Sequence, residues 1–117
     1  MTVRRIVTNI AADDVDGVAG FYAALFGLRK VMDHGWIVTL AGAEGAPVQL
    51  SIASEGGSGT PVPDVSIEVE DVDALHARAT DMGAEIAYPL TDEPWGVRRF
   101  YLRDPAGRLV NVLAHLA

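Results

Sequence analysis

The chain has 117 residues, half of them hydrophobic, a formal net charge of −7 and no cysteine. This length predicts one domain with a real hydrophobic core. The lack of cysteine excludes disulfides, thiolate catalysis and zinc–thiolate sites. The acidic balance opposes nonspecific binding to nucleic acid, and no apolar run reaches the roughly 18 residues of a membrane helix. Because the first residues do not read as a signal peptide, we expect a cytoplasmic protein that binds neither nucleic acid nor membrane.

The first half of the chain predicts a strand, a helix and three further strands. Residues 4–11 alternate apolar and polar side chains, as a half-buried strand does. Asp14 can cap a helix over 14–26, whose apolar stripe stops at Gly27, a residue suited to a left-handed helix end. The helix contains two interior glycines, Gly17 and Gly20. They either weaken the helix or allow it to pack closely on the sheet. Strands are predicted near 28–33, 35–41 and 47–53, with turns at 33–35 and 43–45.

The second half repeats this order after a segment rich in Gly, Ser and Pro. By composition, residues 54–63 form a flexible linker. The predicted elements that follow are a strand at 64–70, a helix at 72–82 capped by Asp71 and ended by Gly83, a strand at 84–88, a loop containing Pro89 and Pro94, and a hairpin at 95–113. The sequence Asp-Pro-Ala-Gly at 104–107 supplies the tight turn of that hairpin.

The hairpin has one apolar face and one mixed face. At a period of two, the apolar face carries Phe100, Leu102, Val110 and Val112, and it predicts a covering helix. The other face carries an aromatic residue, cations and an amide, as expected of a surface that contacts a ligand. Its members are Arg99, Tyr101, Arg103, Leu109, Asn111 and Leu113.

The two halves form an internal repeat. The sequence Asp14-Val15-Asp16 recurs 57 residues later as Asp71-Val72-Asp73. The sequence therefore predicts a single domain over 1–117, in which modules 4–53 and 64–115 are joined by the linker 54–63. We expect an α+β fold of two βαβββ modules that form a curved eight-stranded mixed sheet. Helices would cover its outer face and leave a concave cleft of the kind that holds small ligands.

The order of these motifs resembles the vicinal oxygen chelate superfamily, which includes glyoxalase I, fosfomycin- and bleomycin-resistance proteins and extradiol dioxygenases. The resemblance spans nearly the whole chain, and this fold hosts many chemistries. It also implies a homodimer, since many members place their clefts at or near the subunit interface. The residues that carry it are Phe21-Tyr22 and Phe26-Gly27-Leu28 after Asp14, and the run Asp104–Arg108 before Val110-Asn111-Val112.

Metal-dependent members of this superfamily place His, Gln or Glu at inward positions on the first and last strands of each module. Those positions fall here on Val7, Asp64, Asn111 and one of Gln49, Ser51 and Glu55. Valine cannot bind a metal and asparagine is a weak neutral donor, whereas divalent metals need about three protein ligands. The resemblance therefore implies a cleft with no cofactor, and a divalent metal is the less favoured alternative.

The residues expected to bind a ligand are Asn9, Trp36, Gln49, Asp64, Glu68, Trp95, Arg99, Tyr101 and Asn111. The two tryptophans stack on a flat ligand, fill the core or form a subunit contact. Arg99 binds a ligand carboxylate or phosphate, or forms an ion pair with Glu68 or Asp64. The two asparagines bond the ligand, each other or the backbone. His34, His76 and His115 have no spacing that predicts a metal site or a catalytic triad.

The resemblance and the missing metal ligands imply a small-molecule binding protein of the bleomycin-resistance type. It would sequester an antibiotic or metabolite, partly aromatic and basic, without catalytic residues. The alternative is a glyoxalase-like metal-dependent lyase, isomerase or dioxygenase acting on a small oxygenated substrate, with the metal recruited by Asp64 together with Glu55, Gln49 or a residue of a partner chain. A third interpretation is an enzyme without metal that uses Arg99 or Tyr101.

Overall fold

A computed structural model describes residues 2–43 and 48–117. The eight strands form a mixed sheet, which confirms the predicted α+β class and the order βαβββ in each half. The predicted turn at 43–45 falls mostly outside the described residues. In chain order the elements are β1 (Val3–Ala11), α1 (Val15–Phe26), β2 (Arg29–Asp33), β3 (Ile37–Ala41), β4 (Gln49–Ala53), β5 (Val65–Val69), α2 (Val72–Asp81), β6 (Glu85–Glu93), β7 (Val97–Arg103) and β8 (Leu109–His115).

The chain divides into two compact units, and strand β1 contributes to both. The N-terminal unit comprises Val7–Val62, and the C-terminal unit comprises Pro63–Ala117 with the residues before Val7. The strand order in the N-terminal unit is β2-β3-β4-β1, and that in the C-terminal unit is β5-β8-β7-β6. In each unit one pair is parallel, β1 with β4 and β5 with β8, and the other pairs are antiparallel. The two units therefore repeat one pairing pattern.

Both helices begin at an aspartate, as the sequence predicts. The side chain of Asp14 accepts the backbone N–H of Gly17 at 3.0 Å, and that of Asp71 accepts the N–H of Ala74 at 3.1 Å. Helix α1 ends at Gly27, whose φ of 67° lies in the left-handed region that glycine adopts without strain. In the described part of the chain, no helix is long and apolar enough to cross a membrane.

In the N-terminal unit, helix α1 covers one face of the sheet. The apolar residues of β3 and β4 that alternate toward the helix pack with residues of α1 into one cluster. The members of this cluster are Val15, Ala19, Val38, Leu40 and Ile52. The intervening residues of the same strands, Thr39 and Ser51, therefore lie on the opposite face.

In the C-terminal unit, helix α2 covers the apolar face of the β7–β8 hairpin, as predicted. The rings of His76 and Phe100 are nearly perpendicular and pack edge to face, with 4.9 Å between centroids. The hairpin turn is closed by Asp104, whose carboxylate accepts the N–H groups of Ala106 and Arg108 at 2.9 Å each. The buried cluster beneath the helix consists of Val69, Val72, Ala79, Phe100, Val110 and Val112.

The predicted loop is wrong at Pro89, because β6 continues through it as far as Glu93, whereas Pro94 does lie in the turn before β7. Strand β6 is the outermost strand of the C-terminal unit. An outer strand tolerates proline, which lacks the N–H that a central strand would use. The pairing of β6 with β7 shifts register between Tyr88 and Thr91, which accommodates this proline.

The segment predicted as a flexible linker contains a hydrogen-bonded turn. The N–H of Gly56 donates to the carbonyl of Thr60 at 2.8 Å, and the hydroxyl of Thr60 donates to the carbonyl of Gly57 at 2.8 Å. The N–H of Gly59 donates to the carboxylate of Glu55 at 3.1 Å. Glycine and serine therefore serve here as turn residues, a role that composition alone does not distinguish from that of a linker.

Candidate functional site

In each unit the sheet face opposite the helix, which we call the helix-free face, carries a row of polar residues. In the C-terminal unit, Ser66 is the cross-strand partner of Asn111, and Asn111 is the partner of Tyr101. Residues directly opposite each other on neighbouring strands point to the same face. These three residues therefore form one transverse polar row across β5, β8 and β7.

Asn111 lies at the centre of this row and is only 8% exposed. Its Nδ2 donates to the hydroxyl of Ser66 at 3.0 Å. Its Oδ1 is buried and accepts no hydrogen bond from the residues that the structure describes. Leaving a buried acceptor unmet costs about 1 to 3 kcal/mol. The row therefore contains a buried acceptor to which no described residue donates.

Beside the row lies a buried ion pair between Arg99 and Glu93. The Nε of Arg99 is 2.7 Å from Oε2 of Glu93, and both side chains are 3% exposed. Nη1 of Arg99 also donates to the phenolic oxygen of Tyr101 at 2.8 Å, and the hydroxyl of Tyr88 donates to Oε2 of Glu93 at 3.0 Å. Burial of both charges is tolerated because each has an opposite charge and further hydrogen bonds.

Three aromatic rings surround the guanidinium of Arg99. Its Cζ lies 4.8 Å from the ring centroid of Trp95, 4.8 Å from that of Tyr101 and 5.2 Å from that of Tyr88. These distances are within the range of cation–π attraction. Trp95 and Tyr101, both predicted as ligand contacts, are therefore held against Arg99.

Sequence reasoning missed Glu93 and Tyr88 as partners of Arg99. The ion pair anticipated with Glu68 or Asp64 forms instead with Glu93, because β6 extends to that residue and brings it beside β7. A signal was present, since the outer strand predicted at 84–88 is short for a partner of the long hairpin strand that follows it. The two prolines hid the second half of that strand, which contains Glu93.

The two carboxylates predicted to attract a basic ligand already have partners. Oδ2 of Asp64 accepts the backbone N–H of Leu109 at 3.1 Å. Glu68 pairs with Nε of Arg5 at 3.1 Å and with Nδ1 of His115 at 3.0 Å. These contacts reduce the negative charge that either residue can offer to a ligand.

The N-terminal unit has an equivalent row across β1, β4 and β3. Asn9 is the cross-strand partner of Ser51, and Ser51 is the partner of Thr39. The hydroxyls of Thr39 and Ser51 are 2.8 Å apart and buried. Because a hydroxyl both donates and accepts, each hydroxyl of this pair has a hydrogen-bond partner within the chain.

The structure thus places the predicted site residues in two sets. Six lie in the C-terminal unit: Asp64, Glu68, Trp95, Arg99, Tyr101 and Asn111. Three lie in the N-terminal unit: Asn9, Gln49 and Trp36, the last of which stacks on His34 with 6.2 Å between ring centroids. The cleft that would combine the two sets stays a prediction.

The residues at the superfamily's metal-ligand positions do not fit a divalent metal. Val7 is buried and has no donor atom, and Asn111 offers one neutral amide oxygen. Asp64 is bonded to the backbone of β8, and Ser51 is bonded to Thr39. Over residues 2–43 and 48–117, no three His, Asp or Glu side chains are grouped to hold a metal ion. We therefore derive no chemistry through a metal.

A separate cleft of about 700 Å³ lies on the helix-covered side of the C-terminal unit. At its rim Arg103 forms an ion pair with Glu85 at 3.5 Å. None of the predicted site residues lines it. Its walls are formed by the second half of α2, the start of β6 and the β7–β8 turn, with Leu75, Ala79, Met82, Ala84, Leu102 and Pro105 as the apolar lining residues.

A family model described as the glyoxalase/bleomycin resistance protein/dioxygenase superfamily matches residues 4–112. This match spans both units and both polar rows. No curated protein sequence matches the chain.

Three solved structures illustrate the structural likeness. A structure described as NAD-dependent benzaldehyde dehydrogenase from Legionella pneumophila is 15% identical with a TM-score of 0.78, covering 95% of this chain and 99% of that one. A glyoxalase/bleomycin resistance protein/dioxygenase superfamily member from Vibrio splendidus 12B01 is 21% identical with a TM-score of 0.67, covering 97% and 99%. Streptomyces coelicolor methylmalonyl-CoA epimerase, in complex with 2-nitronate-propionyl-CoA, is 21% identical with a TM-score of 0.69, covering 99% and 100%. At these identities the likeness concerns the fold.

Proposed function

The chain belongs to the glyoxalase/bleomycin resistance protein/dioxygenase superfamily, and from this membership we propose that it binds a small organic molecule without a divalent metal. The ligand is an antibiotic or metabolite held on the helix-free face of the sheet. The protein sequesters this ligand and catalyses no reaction on it. The proposal combines two features of the site, a donor set unsuited to metal and an unmet hydrogen-bond acceptor.

The single observation that carries the proposal is Oδ1 of Asn111. This acceptor is buried, and no described residue donates to it. A ligand N–H or O–H placed there would recover the hydrogen bond that folding removes. Ser66 on one side holds the amide in place through Nδ2, and Tyr101 on the other side is fixed by Arg99.

The charges of the C-terminal row favour a neutral or weakly basic ligand. The guanidinium of Arg99 is opposed by Glu93, and that of Arg5 is opposed by Glu68. An acyl-CoA such as the one bound to the similar epimerase carries several phosphate charges, which call for unopposed cations. The flat ring of Trp95 suits an aromatic portion of the ligand.

The test is a titration of the wild-type protein with a panel of glycopeptide and polycyclic antibiotics, followed by tryptophan fluorescence. We expect saturable quenching by at least one of them, and at least roughly tenfold weaker binding by Asn111→Leu, since leucine has no acceptor. The matched control is Met82→Leu, on the opposite side of the same unit, which should bind as the wild type does. Quenching by none of the panel, or equal binding by Asn111→Leu, would contradict the proposal.

Elemental analysis after purification without chelators separates this proposal from a metal-dependent lyase, isomerase or dioxygenase. We expect no stoichiometric Fe, Ni, Mn or Zn, because Val7 and Asn111 stand where two ligands are required. One equivalent of any of these metals, lost in Asp64→Ala, would replace sequestration by metal-dependent catalysis.

A further inference from the structure

The cleft on the helix-covered side of the C-terminal unit is separate from the polar row. It lies between the second half of α2, the start of β6 and the β7–β8 turn, and its volume is about 700 Å³. Sites for small organic ligands commonly have volumes of about 300 to 1,000 Å³. Leu102 lines the cleft, whereas its neighbour in β7, Tyr101, belongs to the row on the opposite face. A ligand in the cleft would therefore leave the polar row accessible.

The internal repeat shows why the second module is open at this place. Counted from the aspartates that cap the two helices, Ala79 of α2 is equivalent to Tyr22 of α1. Counted from the glycines that follow the helices, Ala84 is equivalent to Leu28. Tyr22 and Leu28 pack against the buried cluster of the N-terminal unit, whereas Ala79 and Ala84 line the cleft. A phenol ring and an isobutyl group are thus replaced by methyl groups, which leaves space between α2 and β6.

Two glycines keep the loops beside the cleft from filling it. Gly83 joins α2 to β6, and Gly107 belongs to the β7–β8 turn; both line the cleft. Their φ angles of 75° and 84° lie in the left-handed region, where a side chain is strained. A Cβ built on either glycine meets no heavy atom of the described residues within 4 Å. The backbone conformation of both loops therefore favours an open cleft.

The walls of the cleft suit a hydrocarbon group. Leu75 and Leu102 line it and also pack against the buried cluster of the C-terminal unit, so both are held in place. Pro105 adds an apolar ring from the hairpin turn. Burial of an alkyl chain against such residues favours binding by roughly fourfold for each fully buried methylene.

Four charged residues line the cleft, and three of them have partners. Arg103 forms an ion pair with Glu85 at 3.5 Å and donates to the carbonyl of Gly107 at 3.0 Å. The carboxylate of Asp104 accepts two backbone N–H groups of the hairpin turn. Arg78 is exposed, and its guanidinium forms no ion pair with any residue of 2–43 or 48–117. Among the described residues, the uncompensated charge of the cleft is therefore positive.

The end of α2 offers little to a cationic ligand. The carbonyls of Arg78, Ala79 and Thr80 accept the backbone N–H groups of the three residues that follow the helix, at 3.0 Å each. Because these carbonyls are already bonded, they do not compete with Arg78 for the polar group of a ligand. Charge complementarity at the cleft thus favours an anion.

We propose that this cleft is a second small-molecule site, which binds a medium-chain alkyl carboxylate. The alkyl chain lies against Leu75 and Leu102 in the space left by Ala79 and Ala84, and the carboxylate pairs with Arg78. Apolar burial supplies most of the affinity, while the single cation selects the head group and fixes the orientation. The site is independent of the ligand proposed for the helix-free face, because the sheet of the C-terminal unit separates the two.

Isothermal titration calorimetry of the full chain with octanoate, octanol and octyltrimethylammonium compares three head groups on one alkyl chain. We expect one octanoate per chain, weaker binding of octanol and the weakest binding of the cation. Arg78→Gln should weaken octanoate binding by roughly two- to fivefold, which is the worth of an exposed ion pair, and leave octanol binding unchanged. The matched control is Arg29→Gln, which removes an exposed guanidinium of the other unit and should bind octanoate as the wild type does.

Ala84→Leu tests the cleft itself, because it restores the residue that fills the equivalent place in the first module. It should weaken octanoate and octanol binding alike, at least roughly tenfold, and melt no lower than the wild type, since leucine buries apolar surface in open space. Arg78→Gln changes only an exposed side chain, so it tests the proposal even where Ala84→Leu does not fold. No saturable binding of octanoate, equal binding of octanol and octanoate by the wild type, or undiminished binding by folded Ala84→Leu would overturn the proposal.

The position of octanoate can be read from the amide resonances of the ¹⁵N-labelled protein. We expect the largest shifts at Gly83, Ala84 and Leu102, and little change at Ser66 and Asn111. Shifts centred on Asn111 would place the carboxylate on the helix-free face and contradict a second site. Antibiotic binding to the polar row, followed by tryptophan fluorescence, is a separate measurement, so either site can fail without the other.

Discussion

The two polar rows occupy equivalent positions in the repeat but are satisfied in different ways. In the N-terminal unit, Thr39 and Ser51 form a neutral hydroxyl pair at 2.8 Å. In the C-terminal unit, Tyr101 is bonded to a buried cation, and Asn111 keeps an acceptor to which no described residue donates. The duplicated module therefore has one row in which two hydroxyls bond each other and one in which a buried acceptor lacks a donor among the described residues.

This difference bears on which of the two rows would contact the proposed ligand. A hydroxyl adapts to any neighbour because it both donates and accepts, whereas an amide presents fixed donor and acceptor ends. The buried Arg99–Glu93 pair and its aromatic rings contact Tyr101 of the C-terminal row, although two charges are buried in this arrangement. We infer that the N-terminal row supports the fold and the C-terminal row supports recognition.

The largest effect is expected from breaking the ion pair. Glu93→Gln leaves the cation of Arg99 buried without a full opposite charge, and we expect a loss of about 3 to 5 kcal/mol in the free energy of unfolding. Urea denaturation measures it. The double variant Glu93→Leu with Arg99→Met should be less destabilised than Glu93→Gln, and a loss below about 1 kcal/mol for Glu93→Gln would mean that the pair is not buried in solution.

A smaller effect is expected from the N-terminal row. Thr39→Val removes one hydroxyl and leaves that of Ser51 buried without this partner, which should lower the free energy of unfolding by about 1 to 3 kcal/mol. The same urea series measures it. Thr39→Val with Ser51→Ala should recover part of the loss. A cost equal to that of Glu93→Gln would remove the distinction between the rows.

The two helices offer a smaller change of opposite sign. Gly20→Ala should stabilise the protein by about 1 kcal/mol and so raise its melting temperature, because alanine favours a helix interior over glycine. Alanine already occupies the equivalent position of α2, at Ala77. Gly17→Ala should lower it by about 1 kcal/mol, because the added Cβ displaces the Asp14 cap. Thermal unfolding at low protein concentration measures both. Equal shifts for the two glycines would show that the cap does not constrain Gly17.

The smallest effect concerns pH. A hydrogen bond from Arg98 holds the pKa of the Asp92 carboxyl below its ordinary value of 3.8. A carboxyl whose pKa is lowered on folding contributes stability above its ordinary pKa, and that contribution is lost as pH falls through the lower value. Asp92→Asn should therefore narrow the difference in stability between neutral and strongly acidic solution, which urea denaturation at a series of pH values measures.

In the N-terminal unit, the backbone N–H of Gly35 and then Lys30 lower the pKa of Asp33 in the same direction. Asp33→Asn is thus the matched variant, and it should show the same sign. Because both carboxylates are exposed, the two effects should be small. An opposite sign in either would contradict the assigned contacts.

The helices and the hairpin could be predicted from sequence because their signals are local. The side chains of Asp14 and Asp71 each accept the backbone N–H of the residue three positions later. In the hairpin, side chains alternate between the two faces of the sheet, so Phe100 and Tyr101 lie on opposite faces. Such patterns depend on residues that are close in sequence, so a single sequence is enough to predict the elements.

The Arg99 partner and the satisfied carboxylates could not be predicted in the same way. Glu93 reaches Arg99 only because β6 continues through Pro89, and the tolerance of that proline depends on β6 being outermost. Likewise Asp64 bonds Leu109, 45 residues away. These contacts depend on strand register between distant segments, which composition and periodicity do not encode.

The interruption of β6 at Pro89 has a counterpart in β2, the outermost strand of the other unit, whose pairing shifts register between Lys30 and Met32. Outermost strands expose unpaired N–H and C=O groups and invite stacking into fibrils. A proline in one and an irregular, charged stretch in the other make both edges poor templates. At high protein concentration the molecule should accordingly not assemble into amyloid-like fibrils.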